Sequence, residues 1–214
     1  MKSNLEHWKK MQEKDYFEKH SCYNAQDGEL KIFGDDVDLI NRHLKLTPEM
    51  KVVVIGCGYG RESALIAPHV AHVYGIDVSE LILQKTRKFL GRHGVNNFTP
   101  VLAERWEMEI PSGIDLVFSH AVFQHLTRDL VKDYVGGLAA KLSPQGKFLL
   151  QFIEDTGGTH DAELKVYEPS VSWNAAEIGE LIAECSLVKY DVEERVVSDK
   201  AKCFWACFGK AKPA

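Results

Sequence analysis

Three glycines in five positions, Gly56, Gly58 and Gly60, follow a run of β-branched residues in "VVVIGCGYGRE", and Asp77 ends the next apolar run 21 residues beyond Gly56. Glycines so spaced, between a buried strand and the first turn of a helix, permit positive φ. They also leave backbone N–H groups facing outward, so a ligand can lie against the main chain. An acidic side chain about 20 residues further on is placed to accept hydrogen bonds from a ribose hydroxyl pair. The pattern predicts a site for a nucleoside-bearing cofactor above the strand ends. An ordinary strand-to-helix turn with an incidental acidic cap shares each feature singly. Strand, three glycines and an aspartate at that offset together argue against it.

Positioning those residues requires strands and helices in alternation, and the chain supplies them. "KVVVIG", "HVYGID", "NFTPVL", "DLVFSH" and "GKFLLQFI" read as strands; helices are expected after Arg61, over "SELILQKTRKFLGRHG" and over "RDLVKDYVGGLAAKL". Such alternation predicts βαβ units and a parallel sheet covered on both faces, consistent with strands that are apolar throughout. "SWNAAEIGELIAECS" reads as the last helix, and the two β-rich runs after it are separated only by "SDKA". Four residues cannot make a parallel crossover, so these runs predict an antiparallel hairpin at one end of the sheet. Upstream, residues 4 to about 20 and 35 to 46 have helical spacing, the second stretch ending at Thr47-Pro48.

Whole-chain properties narrow the class. The chain has 214 residues, 45% hydrophobic and 27% charged, which suits one domain, residues 1–214, with a substantial core. A net charge of −5 supplies no overall basic footprint, so no nucleic-acid partner is expected. The five cysteines are odd in number and scattered, with no C-x-x-C pair, which favours a reducing compartment over a disulfide framework or zinc knuckle. A charged N-terminus and the lack of any long apolar run predict a cytoplasmic protein with no membrane association.

The dinucleotide fingerprint wants its third glycine at position 61, where this chain has Arg61. The spacing G-x-G-x-G, with "HVYGIDVSELIL", "PVLAERWEM" and "IDLVFSHAVFQHL" after it, resembles the class I S-adenosylmethionine-dependent methyltransferases from about residue 50 to the C-terminus. The resemblance implies an α/β, Rossmann-like three-layer sandwich with a seven-stranded mixed sheet closed by the C-terminal hairpin. Residues 50–214 would form that core, and 1–46 a helical lid or cap. It also implies S-adenosylmethionine as cofactor and S-adenosylhomocysteine as product. By its motifs, Gly56, Cys57, Gly58 and Gly60 would lie along the methionine portion and Asp77 would bind the ribose. Val78, Ala103, Glu104 and Arg105 would border the adenine; Ser119 and His120, with Ala121 and Phe123 beyond, would run past the sulfonium.

Family patterns for other acceptors are missing. "SHAVF" stands where nucleobase amino methyltransferases carry D/N-P-P-Y/F, no carboxylate stands there for a metal, and neither paired glutamates nor a Pro-Cys nucleophile is found. A small-molecule acceptor, methylated on O, N or S without a metal, is the resulting expectation, by a monomer or homodimer. The alternatives are a protein side-chain methyltransferase, a non-catalytic cofactor- or partner-binding module and, less favoured, an NAD-dependent oxidoreductase. His120 and His125 flank the expected transfer site and are the candidate general bases, with His160, Glu154 and Asp155 next. Cys57 is read as a small residue that the turn accepts, and Cys203 and Cys207 as parts of a strand apolar on both faces. Trp106 is read as either core packing or a stacking surface. Trp8, Tyr16, Phe17 and Tyr23 could close a lid or a dimer contact.

Overall fold

The β-branched run at Val52–Ile55 is the middle of a seven-stranded sheet in the computed structural model, which describes residues 6, 8–10, 23–24, 29–30, 35–155 and 171–211. The strands are β1 (Lys51–Ile55), β2 (His72–Asp77), β3 (Phe98–Leu102), β4 (Ile114–Ser119), β5 (Leu142–Asp155), β6 (Val188–Ser198) and β7 (Ala201–Gly209), in the spatial order β3-β2-β1-β4-β5-β7-β6. The first five strands pair in parallel; β7 pairs antiparallel with both β5 and β6. The expected mixed sheet with a C-terminal hairpin is therefore the observed one. Its turn is tighter than expected, with Asp199 and Lys200 alone between the strands. A separate two-residue antiparallel pair joins Tyr23–Asn24 to Glu29–Leu30.

Two apolar layers lie on opposite faces of the sheet. On one, Leu39 and Ile40 of helix α1 (Asp36–His43), Ile66 of α2 (Arg61–Ile66) and Leu83 of α3 (Glu80–Arg92) pack on Val52, Val54, Leu116 and Phe118. On the other, Trp106 of α4 (Trp106–Glu109), Val131, Val135 and Leu138 of α5 (Arg128–Lys141) and Ile178 and Leu181 of α6 (Ala175–Glu184) pack on Val53, Ile55 and Val117. β7 sits between two strands and serves both layers: Cys203, Trp205 and Cys207 face the first, Phe204, Ala206 and Phe208 the second.

Polar caps set where the helices begin. Ser79 accepts from Ile82 N–H and Thr127 from Leu130 N–H, while Asn174 and Glu177 form a reciprocal capping box. α1 ends at His43, three residues before the predicted end, because Leu44 is already extended. β5 begins earlier than "GKFLLQFI" suggests, with a register irregularity where it meets β4 between Ile114 and Leu116. Trp106 takes the packing role: it is buried against Tyr134, with ring centroids 5.3 Å apart, and fills the space where Gly137 of α5 lacks a side chain.

Candidate functional site

The glycine loop leaves β1 through three left-handed residues, Gly56 at φ 67°, Gly58 at 49° and Gly60 at 90°. Positive φ disfavours any side chain at these positions. Part of the crowding comes from the protein itself, since a Cβ on Gly56 would lie 2.4 Å from Val122 Cγ2 and one on Gly60 would lie 2.7 Å from Thr86 Cγ2. The loop is thus clamped between the segment after β4 and helix α3. Thr86 reinforces the second contact with a hydroxyl whose one proton is shared between Gly58 C=O and, at 2.8 Å, Ile82 C=O.

Asp77 ties this loop to the end of β2. Its Oδ2 accepts from Gly58 N–H at 3.0 Å and its Oδ1 from Ser79 N–H at 3.1 Å, and the residue is only 5% exposed. A carboxylate offers about four lone-pair sites, so two backbone donors do not exhaust it. The charge makes itself felt nearby. Burial, and then Asp77, raise the Tyr134 phenol; burial, then Asp77 and Glu62, push the Cys57 thiol well above its usual range. Cys57 is a buried, protonated packing residue, as its place in the turn suggests. Among the described cysteines Cys57, Cys185, Cys203 and Cys207 are all free, and burial also raises Cys203 and Cys207, the latter to about 11.

The remaining cofactor candidates fall along the strand ends. Val78 is half-buried after β2, and Ala103 N–H donates to Asp77 C=O at 2.8 Å, joining the ends of β3 and β2. Glu104 and Arg105 are exposed beside Ala103, with Arg105 4.0 Å from Glu109. Ser119 is fully buried, and its hydroxyl donates across to Ile55 C=O at 3.2 Å, so its side chain holds β4 to β1.

After Ser119 the chain turns sharply. Ala121 takes a left-handed φ of 58°, and its N–H donates to Gln151 Oε1 at 3.0 Å. A non-glycine residue held in that region by a buried side chain marks a turn whose shape is fixed by its surroundings. His120 sits on this turn with its side chain 27% exposed and its ring edge-on to Trp205, centroids 5.1 Å apart. Its Nδ1 lies 2.9 Å from Asp36 Oδ1 of α1 and 3.0 Å from Arg61 Nη2 at the start of α2. Arg61 also pairs with Glu62 and lies 3.7 Å from Asp36 Oδ2. Asp36, Glu62 and His120 bring their ligand atoms within 4.8 Å of one another, a spacing that can suit a cation. The Arg61 guanidinium already supplies a cation to all three.

His125 has a different setting. Its ring packs on Trp8 with centroids 4.5 Å apart, and burial lowers its pKa to about 4. A neutral, buried imidazole of such low basicity is better suited to holding the turn than to taking a proton. The shift has a stability consequence. Because the folded value lies below the unfolded one of about 6.5, the native state is penalised as pH falls through that window. The penalty, up to about 3 kcal/mol, is complete below pH 4. His125→Gln should flatten the fall in unfolding free energy between pH 6.5 and 4, read by urea titration; an unchanged slope would show that the ring titrates normally.

Glu154 and Asp155 end β5 opposite Lys202 and Ala201, whereas Gln151 pairs with Trp205, the residue His120 touches. They are therefore three and four residues, roughly 10 Å and more, further along the strand. Tyr16, Phe17 and His160 lie outside the described residues, and Tyr23 is described only as part of the small strand pair. The structure brings the glycine loop and Asp77 together through the Gly58 N–H. Asp36, Arg61, Glu62 and Gln151 were missed. Of these four, Arg61, directly after Gly60, carries a local signal in the sequence.

Residues 52–146 match the family model described as a methyltransferase domain. Protein-L-isoaspartate O-methyltransferase 1 of Polaromonas sp. is 28% identical over 153 residues, 71% of this chain and 58% of that protein. Ubiquinone biosynthesis O-methyltransferase of Stutzerimonas stutzeri is 33% identical over 91 residues, 42% of this chain and 39% of that protein. The chain thus spans 58% or less of the length of these curated relatives. Magnesium protoporphyrin IX methyltransferase of Synechocystis PCC 6803, solved with S-adenosylhomocysteine, shares the fold. Its TM-score is 0.68 at 16% identity, over 98% of this chain and all of that one. The match to the methyltransferase domain spans less than half of the chain, and across nearly all of the chain the fold is that of a solved methyltransferase. Among the described residues, no helix is long and apolar enough to cross a membrane.

Proposed function

We propose that the chain transfers a methyl group from S-adenosylmethionine to a small-molecule acceptor by in-line displacement, without a metal. The observation that carries this reading is the left-handed glycine loop tied to a buried carboxylate through the Gly58 N–H. That cradle fits the cofactor: the three glycines hold a left-handed backbone path that side chains disfavour, and Asp77 retains acceptor capacity for a ribose hydroxyl pair. Val78, Ala103, Glu104 and Arg105 would border the adenine, and the backbone of Ser119 and His120 would pass the sulfur. The bound cofactor supplies a strongly electrophilic sulfonium methyl group. The protein's work is then to align the acceptor, exclude water and accept a proton where the acceptor carries one. Alignment alone can account for roughly 7–11 kcal/mol of barrier.

His120 is the proposed proton acceptor, and the Arg61 guanidinium among Asp36, Glu62 and His120 supports a metal-free site. Residues 1–46 are proposed to cap the cofactor, a reading supported by Trp8 resting on His125. The scattered, odd-numbered cysteines of the sequence, with no C-x-x-C pair, support a cytoplasmic location. A monomer or homodimer without nucleic acid remains the proposed assembly.

A second reading, methyl transfer to a protein side chain, is favoured by the 28% identity to a protein-L-isoaspartate O-methyltransferase. Incubating the protein with methyl-labelled S-adenosylmethionine, a metabolite extract and an unfolded protein mixture separates the two. Label in small molecules is the expected result, and label confined to protein would replace the first reading with the second. S-adenosylhomocysteine binding without any transfer would leave a non-catalytic module. NADH binding in its place would indicate an oxidoreductase.

A further inference from the structure

The His120 ring has two competing neighbours at one nitrogen. Asp36 Oδ1 lies 2.9 Å from Nδ1 and can only accept; Arg61 Nη2 lies 3.0 Å from it and can only donate. A neutral imidazole nitrogen cannot serve both, so one of them sets the tautomer. The alternatives differ in what they leave unsatisfied. The Asp36 side chain is 3% exposed; among the described residues its Oδ2 has no hydrogen bond, with Arg61 Nη2 3.7 Å away, and His120 is the hydrogen-bond partner of its Oδ1. If Nδ1 carried its lone pair, a buried carboxylate oxygen would face that lone pair with no donor, a costly arrangement. Arg61 has another outlet, because its Nε donates to Glu62 Oε1 at 2.9 Å and its side chain is 19% exposed.

We propose that Asp36 is a positioning residue: it accepts the Nδ1 proton of His120, fixes that tautomer and leaves Nε2 as the nitrogen that takes a proton from the acceptor. The inference rests on the proposed role of His120 and adds to it a residue 84 positions earlier in the chain. Helix α1 thereby becomes part of the site as well as part of the core. Packing supports the assignment. Leu39 and Ile40 anchor α1 in the layer that also holds Trp205, and the Trp205 ring meets the imidazole edge-on, so carboxylate and ring are each held by a buried neighbour. Among the described residues, the charged groups facing His120 are Asp36 from α1 and Arg61 from α2, with Glu62 behind Arg61.

The test is the imidazole nitrogen spectrum of the ¹⁵N-labelled full chain on the alkaline side of the histidine titration, with His120 assigned by the signals lost in His120→Gln. The wild-type ring should show a protonated Nδ1 and a lone pair on Nε2. In Asp36→Leu no side-chain oxygen remains to accept from Nδ1 and Arg61 donates to it, so the two nitrogen signals should exchange character. Arg61→Gln should retain the wild-type pattern. A wild-type ring protonated at Nε2 overturns the proposal even if the Asp36 variant fails to fold. So does an Asp36→Leu ring that keeps Nδ1 protonated, or a pattern that follows Arg61. Calorimetric titration of the same samples with S-adenosylhomocysteine keeps the two readings apart. Wild-type protein that fails to bind it would remove the proposed function and leave the tautomer result standing.

Discussion

Asp77→Asn is expected to weaken S-adenosylhomocysteine binding about 10²–10³-fold and to lower the melting temperature in the same protein. Each hydrogen bond to a charged acceptor contributes about 1.5–3 kcal/mol, so losing a charge-assisted pair to the ribose accounts for the loss of affinity. The stability loss has a separate origin. Asp77 accepts from Gly58 N–H and Ser79 N–H through different oxygens, and an asparagine presents an NH₂ to one of those two donors. A buried donor facing a donor costs about 1–3 kcal/mol, or on the order of 5 °C for a domain of this size. Calorimetry and thermal unfolding measure the two effects independently. Stability lost with affinity intact would make Asp77 a structural clamp only. Both left unchanged would dissolve the proposed cofactor site.

The contact between Asp77 and the glycine loop is the part of the candidate site that was legible in the sequence. Strand, glycine loop, helix and Asp77 are consecutive pieces of one βαβ unit, so their relation is written in local spacing. The alternating faces of "KCFWACF" likewise follow from the two-residue period of a strand, and Cys203, Trp205 and Cys207 do line one layer. What spacing cannot express is which side chain fills a space opened elsewhere. Gly56 reads as room for a ligand, yet Val122, on the far side of β4, takes part of it. Trp106 reads in the sequence as packing or stacking, with packing the commoner role of a lone aromatic, and Gly137 of α5 leaves it a berth in the core. The Asp36, Arg61 and His120 contacts join three elements that only the folded sheet brings together. For Asp36 the sequence offers a charged residue at the start of an amphipathic helix, a place where acids usually cap or face solvent.

His120→Gln is the variant that isolates the proposed base. Glutamine can still donate to Asp36 Oδ1, so the buried carboxylate keeps a partner and the fold should hold, while no side-chain nitrogen remains that can take a proton. Alanine would combine that chemical loss with an unpaired carboxylate, and unfolding would obscure the rate. For a hydroxyl or other proton-bearing acceptor, turnover in His120→Gln should fall about 10²–10⁴-fold. The acidic limb of the pH profile, where a protonated imidazole can no longer accept, should vanish with it. S-adenosylhomocysteine affinity should stay within about twofold, because the change removes an interaction made only as the proton moves. The measurement is labelled methyl transfer to the acceptor identified in the extract, from pH 5 to 9. A small, pH-independent loss would mean that alignment alone drives transfer. Retention of most activity across the range would remove His120 from the reaction. Glu154 and Asp155 would then be the next bases to test, ahead of His125, whose pKa of about 4 suits it less to the role.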